Sequence, residues 1–537
     1  MKFFLAIMVI GIAAVARAPA AGAQPVDVPK TNPMKVYMHY MPWFETPATQ
    51  GANNWGLHWP MATQNPNIMD ATGKRQIASH FYPMIGPYAS QDPDVIEYHL
   101  LLMKYSGVDG VLIDWYGSQG ANGDVGSLLT NSNALVDKTD DFGMKFGVVL
   151  EDNFSTVDNS ENSPPDISKA IANVAYLKDY YFNRPAYIRL GVGNDPLLGV
   201  FGPQTFTPPQ DSPAQWTQIL AAAGEDVNFL PLWYRKGDVG NSNADGEFAW
   251  VYQDASTTNH LSHTTNFYTG RANGLNIAGG AAYPGFDDYY QEGGWGNNLF
   301  EIPSNNGQTL QQTLNLANQY SSRIDFLQLV TWNDFGEGTM LEPTVEHGFD
   351  YLKQIQQFTG VPYDEDELQL IYRLYMARKK YAGDAPIDAM LDQVSTLLTE
   401  LEIENAAALL DSVAPAGDYD SDGDVDTADY NSWRAAYGNQ TILHGSGADG
   451  NYDGIIDAAD YTIWRNSLGQ TGTGPVADGD GSSTIDLGDY DLWRAHFGQR
   501  AGSGSGASAN AAVPEPATLE LLMFAVAGWC LRRGRAA

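Results

Sequence analysis

The chain has 537 residues, too many for one small domain, and its 43% hydrophobic and 12% aromatic content can fill a large core. With 64 acidic against 29 basic residues its net charge is −35. Such a surface repels nucleic acid and anionic membranes, so neither is expected as a partner.

The first 23 residues read as an export signal. Lys2 precedes an apolar run over 3–15, and Ala21-Gly22-Ala23 before Gln24 marks a cleavage point after Ala23. The only cysteine is Cys530, close to the C-terminal end, so disulfides cannot staple the mature domain. An exported chain without disulfides must rely on its core and on metal.

From Lys35 onward, apolar strand-like runs alternate with helical patterns. The runs are 35–40, 110–115, 146–150, 196–201, 227–233, 248–252, 277–283 and 326–331. Eight strands with intervening helices predict a (β/α)8 barrel over residues 24–360, of α/β class; a doubly wound sheet is the alternative. Nearly every run ends in aromatic or acidic residues. Tyr40 and Trp43 close the first and are followed by a loop carrying His58 and Trp59. Asp114 and Trp115 close the second, Glu151 the third, and Tyr252 and Asp287 the later ones. Any one of these is more often a packed ring or a loop cap. Gathered at one end of successive strands, rings that stack on sugars and carboxylates that match hydroxyls fit a carbohydrate cleft.

The last run leads into Trp332-Asn333-Asp334-Phe335-Gly336-Glu337-Gly338-Thr339. Two carboxylates three residues apart at a strand's C-terminal end stand where parallel α/β folds build active sites. An ordinary polar turn is the plain alternative.

Two stretches resemble a known family. Residues 77–93, IASHFYPMIGPYASQDP, are similar to a Y-P-x-x-G-x-Y-x-S-x-D segment of glycoside hydrolase family 99, as are the helix 95–104 with His99 and the strand 107–116. The family's W-N-E-W-x-E-G-T signature is similar to residues 332–339, with Asp334 in place of the first Glu. That W-N-D-[YF]-G-E form also resembles family 71, the α-1,3-glucanases. The family-99 resemblance, over about residues 36–351, implies an endo-acting α-mannosidase or α-mannanase on a (β/α)8 barrel. It implies Glu337 as general acid/base and Asp334 as the group that deprotonates a substrate 2-hydroxyl. An inverting route, with one carboxylate activating water, stays open. The candidate substrate contacts are Tyr40, Trp43, His58, Trp59, Tyr88, Asp114, Trp115, Glu151, Tyr252, Asp287 and Asn333. No cofactor is expected in the catalytic site.

After a last barrel helix at 351–357, helical spacing over 364–381 and 387–410 predicts an appendage within 361–413. Three acidic repeats then fill 414–499. Asp418, Asp420, Asp422, Asp424, Asp426 and Asp429 form the first loop, with Gly423 at position 6. Asp449, Asn451, Asp453, Ile455, Asp457 and Asp460 form the second. Asp478, Asp480, Ser482, Asp486 and Asp489 form the third, where Ser482 and Ser483 replace an acid and a glycine. Oxygens at positions 1, 3, 5, 9 and 12 around a turn glycine suit a hard cation, so structural calcium is expected. Each loop enters D-Y-x-x-W-R, which places Trp433, Trp464 and Trp493 on equivalent helix faces. The segments resemble dockerin or EF-hand-like repeats, and the resemblance implies a possible cohesin-like partner.

Residues 500–512 are a Gly/Ser/Ala linker. The tail 513–537 carries Val513-Pro514-Glu515-Pro516, an apolar stretch over 517–531 and Arg532-Arg533-Gly534-Arg535. It resembles PEP-type C-terminal sorting signals, which implies a sorting protease and a surface or extracellular destination. Taken together, these features read as an exported glycoside hydrolase acting on α-linked polysaccharide. A non-catalytic carbohydrate-binding or cell-surface protein on a barrel scaffold is the alternative.

Overall fold

Eight short strands run parallel and side by side: β1 Val36–Tyr40, β2 Gly110–Trp115, β3 Lys145–Leu150, β4 Asp195–Val200, β5 Asn228–Pro231, β6 Gly246–Phe248, β7 Ile277–Ala282 and β8 Phe326–Leu329. In this computed structural model the described residues are 24–70, 73–119, 123–154, 167–203, 212–252, 259–413, 416–420, 425–439, 447–451 and 454–468. The expected export signal, Asp422, Asp424, Asp453, the third repeat with Asp478, Asp480, Ser482, Asp486 and Asp489, the linker and the tail lie outside them.

The strands pair in the order β5-β4-β3-β2-β1-β8-β7-β6. The ring closes where Leu232, just past β5, bridges Phe248 of β6, with the Trp233 amide donating to the Phe248 carbonyl at 2.9 Å. β1 lies between β8 and β2, in register Val36 to Leu327 and His39 to Leu112. Both faces of β1 and β2 are buried throughout, as strands between a filled barrel and an outer helix layer must be. A short antiparallel strand, Arg189–Leu190, edges β4.

The connections carry the outer helices: α1 Pro93–Tyr105, α2 Val125–Thr139, α3 Ser168–Tyr180, α4 Ser212–Ala221, α5 Lys236–Val239, α6 His260–Asn266 and α7 Gln308–Gln319, with α8 Asp350–Thr359 after β8. All eight expected strands and the closing helix are therefore present. The sixth strand is displaced toward the N-terminus. Residues 249–251 are buried, but the chain leaves the ladder after Phe248. Their apolarity reflects packing and not pairing.

The appendage is three helices where the spacing predicts two: α9 Glu365–Lys380, α10 Ala385–Thr399 and α11 Ile403–Val413. Leu401, at φ 62°, turns the chain between the last two. Arg378 of α9 forks onto Glu97 of α1 with two bonds of 2.8 Å, and the Tyr105 hydroxyl donates to the Leu398 carbonyl at 2.8 Å. The appendage is thus fastened to the first barrel helix by charge-assisted and buried bonds.

In the repeats, α12 Thr427–Ala436 and α13 Ala458–Ser467 are capped by Asp426 and Asp457. The Trp433 indole donates to the Asp457 carbonyl (2.7 Å), and the Trp464 indole to the Asp426 carbonyl (2.8 Å). The first two repeats therefore hold one another reciprocally through the tryptophans of their shared motif.

Candidate active site

β8 ends in a turn that carries the two acids of the motif. The Asp334 amide donates to Thr331 Oγ1 at 2.8 Å, and Asp334 Oδ1 accepts the Glu337 amide at 2.9 Å. A second segment clasps this turn from outside, the amides of Asp287 and Tyr289 donating to the carbonyls of Glu337 and Gly336, both at 2.9 Å. Gly338 makes that approach feasible. It sits at φ +64°, and a Cβ there would lie 2.7 Å from the Asp287 carbonyl oxygen.

The turn opens onto a cavity of about 650 Å³ at the C-terminal ends of the strands. His39 of β1, Asp114 of β2, Glu151 after β3, Phe201 after β4, Trp250 after β6, and Asp334 and Glu337 after β8 all line it. Trp43 and His58 line the wall, stacked with centroids 4.2 Å apart and planes 3° from parallel. Trp295, 45% exposed, meets the His58 edge at 5.4 Å and presents a ring at the mouth. Among the described residues no lysine or arginine lines this space.

Gathering carboxylates in a confined volume sets their ionisation. Burial, opposed by a hydrogen bond from the Tyr290 hydroxyl (2.9 Å to Oε1) and reinforced by Asp288 and Asp114, pushes the Glu337 carboxyl up to about 7. Burial and the neighbouring Glu337 charge raise Asp334, and burial followed by Asp114, Asp152 and Glu337 raises Glu151. Burial lowers His58 despite Asp124 beside it. A carboxyl poised near neutrality next to a second carboxylate can deliver a proton to a departing oxygen.

Of the expected substrate contacts, Trp43, His58, Asp114 and Glu151 line the cavity with the two acids; the others do not. Tyr40 is one residue out of phase. β1 turns His39 inward and Tyr40 outward, where its hydroxyl hydrogen-bonds His99 Nδ1 at 3.0 Å. Likewise β2 turns Asp114 inward and packs Trp115 against Tyr176 and Tyr181. Asn333 is fully buried; its Nδ2 donates to the Met41 carbonyl and to the Tyr88 hydroxyl (both 3.0 Å), and its Oδ1 accepts the Met41 amide (2.8 Å). Tyr88 in turn donates to Glu342 at 2.7 Å, and His99 pairs with Glu342 at 3.3 Å. Tyr40, Tyr88 and Asn333 thus brace the turn from beneath it. Trp59 stacks on Phe44 within the core, and Tyr252 stacks on His263 of α6. Asp287 faces outward and pairs with His80 at 3.1 Å.

The residue choice at the strand ends overlooked His39, Trp250, Tyr290 and Trp295. For His39 the signal was present, since it stands beside Tyr40 at a strand end; Trp250 lies inside the sixth apolar run, two residues before Tyr252. Tyr290 and Trp295 belong to a long loop that folds back, for which sequence offers no local cue.

In the first repeat, oxygens of Asp418, Asp420 and Asp429 lie within 4.8 Å of one another. Asp429 also accepts the amides of Tyr419, Asp420 and Asp426, and Asp460 accepts those of Gly450, Asn451 and Asp457 in the same pattern. Converging carboxylates on a backbone-fixed loop fit a hard cation. Asp426 and Asp457 act as helix caps, and Ile455 is 43% exposed. Lys380 of α9 reaches Asp418 at 3.2 Å.

A carboxyl raised by burial beside a second acid, walled by indole and imidazole at the mouth of a parallel barrel, suits the breaking of an acetal between sugars, the chemistry of glycoside hydrolases. The sequence narrows this further. Residues 32–379 match glycosyl hydrolase family 99, and the chain belongs to that family. It is 23% identical over 361 residues to the glycoprotein endo-alpha-1,2-mannosidase of Xenopus laevis, covering 61% of this chain and 74% of that one. To the enzyme of the same name from Mus musculus it is 24% identical over 258 residues, covering 44% of this chain and 53% of the other, so the match spans about half of that relative. The solved GH99 endo-alpha-mannosidase from Bacteroides thetaiotaomicron is 20% identical with a TM-score of 0.47, covering 63% of this chain and 98% of that one.

Proposed function

We propose that the protein cleaves α-mannosidic linkages within a polysaccharide, with Glu337 as the acid/base and Asp334 as its partner. The observation that carries this reading is the Glu337 carboxyl, raised to about 7 and held by Tyr290 in the cavity beside Asp334. Glu337 delivers its proton to the glycosidic oxygen as that bond breaks. The anomeric carbon is captured either by the sugar's own 2-oxygen, its proton passing to Asp334, or by a water that Asp334 activates. On the first route water then opens the strained intermediate, with Glu337 removing the water's proton and Asp334 returning its proton to the 2-oxygen. Both routes consume one water per linkage.

The same reading has the chain exported, its tail removed by a sorting protease, and its repeats holding structural calcium with a cohesin-like module as a possible partner. The residues at 332–339 keep α-1,3-glucan as the competing substrate, since Asp334 stands where the family-99 pattern has Glu.

Product analysis on α-manno-oligosaccharides and α-1,3-gluco-oligosaccharides tests the reading. Internal cleavage of the α-mannosides supports it; cleavage of the glucans alone overturns it. Binding of either glycan without any product returns the barrel to a non-catalytic role. Among mannosides, a 2-deoxy analogue decides the route: hydrolysis of that analogue at the parent rate excludes attack by the 2-oxygen.

A further inference from the structure

His39 and Asp114 occupy neighbouring strand ends, and both point into the mouth of the barrel from β1 and β2. Both are essentially inaccessible to solvent, at 0% and 2% exposure, yet both line the cavity that holds Glu337. Among the described residues neither ring nitrogen of His39 has a hydrogen-bond partner. Asp114 Oδ1 lies 3.8 Å from Nε2, too far for a hydrogen bond. Trp250 packs edge-on against the imidazole, centroids 4.6 Å apart, and keeps it from turning away. Buried polar groups are almost always paired in native structures, and an unpaired imidazole held rigid at the floor of a cavity is waiting for a ligand atom.

We infer that His39 and Asp114 together clamp one hydroxyl of the sugar ring seated against Glu337. The inference rests on the glycosidase reading and names a recognition element within it. An oxygen about 2.8 Å from both groups fits the 3.8 Å gap. That hydroxyl donates its proton to the Asp114 carboxylate and accepts the N–H of Nε2, so the two facing groups are joined through one oxygen. A hydroxyl is the ligand, and a phosphate, sulfate or uronate is not. Asp114, Glu151, Asp334 and Glu337 share the cavity with no lysine or arginine among its described lining residues, so an added anion is repelled. The segments 120–122, 155–166, 204–211 and 253–258 contain no lysine or arginine either.

The test is a cycle of protein and substrate changes. His39→Phe keeps the ring against Trp250 and removes both nitrogens; Asp114→Asn removes the charge with little change of shape. Wild type and both variants are assayed on an α-manno-oligosaccharide and on analogues each lacking one hydroxyl of the ring in the cavity. The expected result is a loss of kcat/KM of roughly 10- to 100-fold in each variant on the parent, and no loss on one particular deoxy analogue, the same for both. Unchanged kcat/KM on the parent overturns the clamp. So does an equal loss on every analogue, which is the mark of a residue that only supports the fold. If wild type turns over no mannoside, the proposed activity fails by itself. The clamp is then read from the His39 imidazole nitrogen resonances, with α-manno- and α-1,3-gluco-oligosaccharides as probes. They must shift on binding, and binding without a shift refutes it.

Discussion

Removing the Tyr290 hydroxyl should make the enzyme tolerate alkaline pH better. Three influences fix the Glu337 carboxyl at about 7: burial raises it, Tyr290 lowers it, and the Asp288 and Asp114 charges raise it. The Tyr290 bond is 2.9 Å long and favours the ionised carboxylate, which accepts it more strongly than the neutral acid does. A hydrogen bond to a charged group contributes about 1.5–3 kcal/mol. At 1.36 kcal/mol per unit this corresponds to roughly 1–2 units of pKa. In Tyr290→Phe, burial and the two anions act unopposed, and Glu337 should titrate higher than in the wild type. Glu337 must be protonated to serve the leaving oxygen, so activity falls as pH rises through its pKa. The alkaline limb of kcat/KM against pH should therefore move upward by roughly 1–2 units. Because Asp334 and Glu151 titrate alongside it, the limb reports the cluster, and the shift is read between variant and wild type. An unmoved limb, or one displaced toward lower pH, refutes the assignment of Glu337 as the acid.

Glu337→Gln should lower turnover by about 10²–10⁴-fold with the fold intact, and a variant near wild-type activity moves the acid role to Glu151. The same variant should be the more stable protein at alkaline pH. The folded-state pKa of about 7 lies above the usual 4.5, so the stability that the neutral acid contributes is fully present below 4.5 and lost as pH rises through 7. Melting curves of the two proteins should converge below 4.5, draw apart between 4.5 and about 7 and keep that separation above; a gap that is the same at every pH contradicts the burial argument. Asn333→Ala removes three buried hydrogen bonds beneath the catalytic turn and should cost about 2–4 kcal/mol in denaturant unfolding, and a cost under about 1 kcal/mol would mean the turn is held elsewhere. In the full chain, a chelator should displace one calorimetric transition, that of the repeats, and leave the barrel's in place. Identical scans with and without chelator would strike out the calcium assignment.

The barrel was legible because its eight strands are separate apolar runs, each bounded by polar or turn residues. The site was legible as a place, since Asp334 and Glu337 follow the last run directly. What sequence could not resolve was phase. In strands buried on both faces, His39 and Tyr40, or Asp114 and Trp115, are equally at home on either side, because the polar-apolar alternation that marks a face elsewhere is absent. Tyr40 and Trp115 were chosen as contacts for their chemistry, and both point outward. Asn333 and Tyr88 misled for a related reason: polar groups in a signature motif served the backbone of the turn and not a ligand. Tyr290 reaches Glu337 from 47 residues away, a closure that no local pattern announces.

The barrel wall is unevenly stitched. β2 and β3 share six paired residues, whereas among the described residues β5 and β6 are joined by the bridge from Leu232 to Phe248 and by the Asp245 amide on the Phe229 carbonyl (3.0 Å). A cylinder with one sparsely laced seam should breathe there first, with amides such as that of Trp233 exchanging with solvent ahead of the rest of the wall. Phe201 and Trp250, beyond β4 and β6, meet across that side with ring centroids 4.9 Å apart. Two side chains thus reinforce the side of the wall where backbone bonds are fewest. Since both also line the cavity, a glycan pressed against them would brace the slit, and occupancy of the site should slow the breathing of the wall.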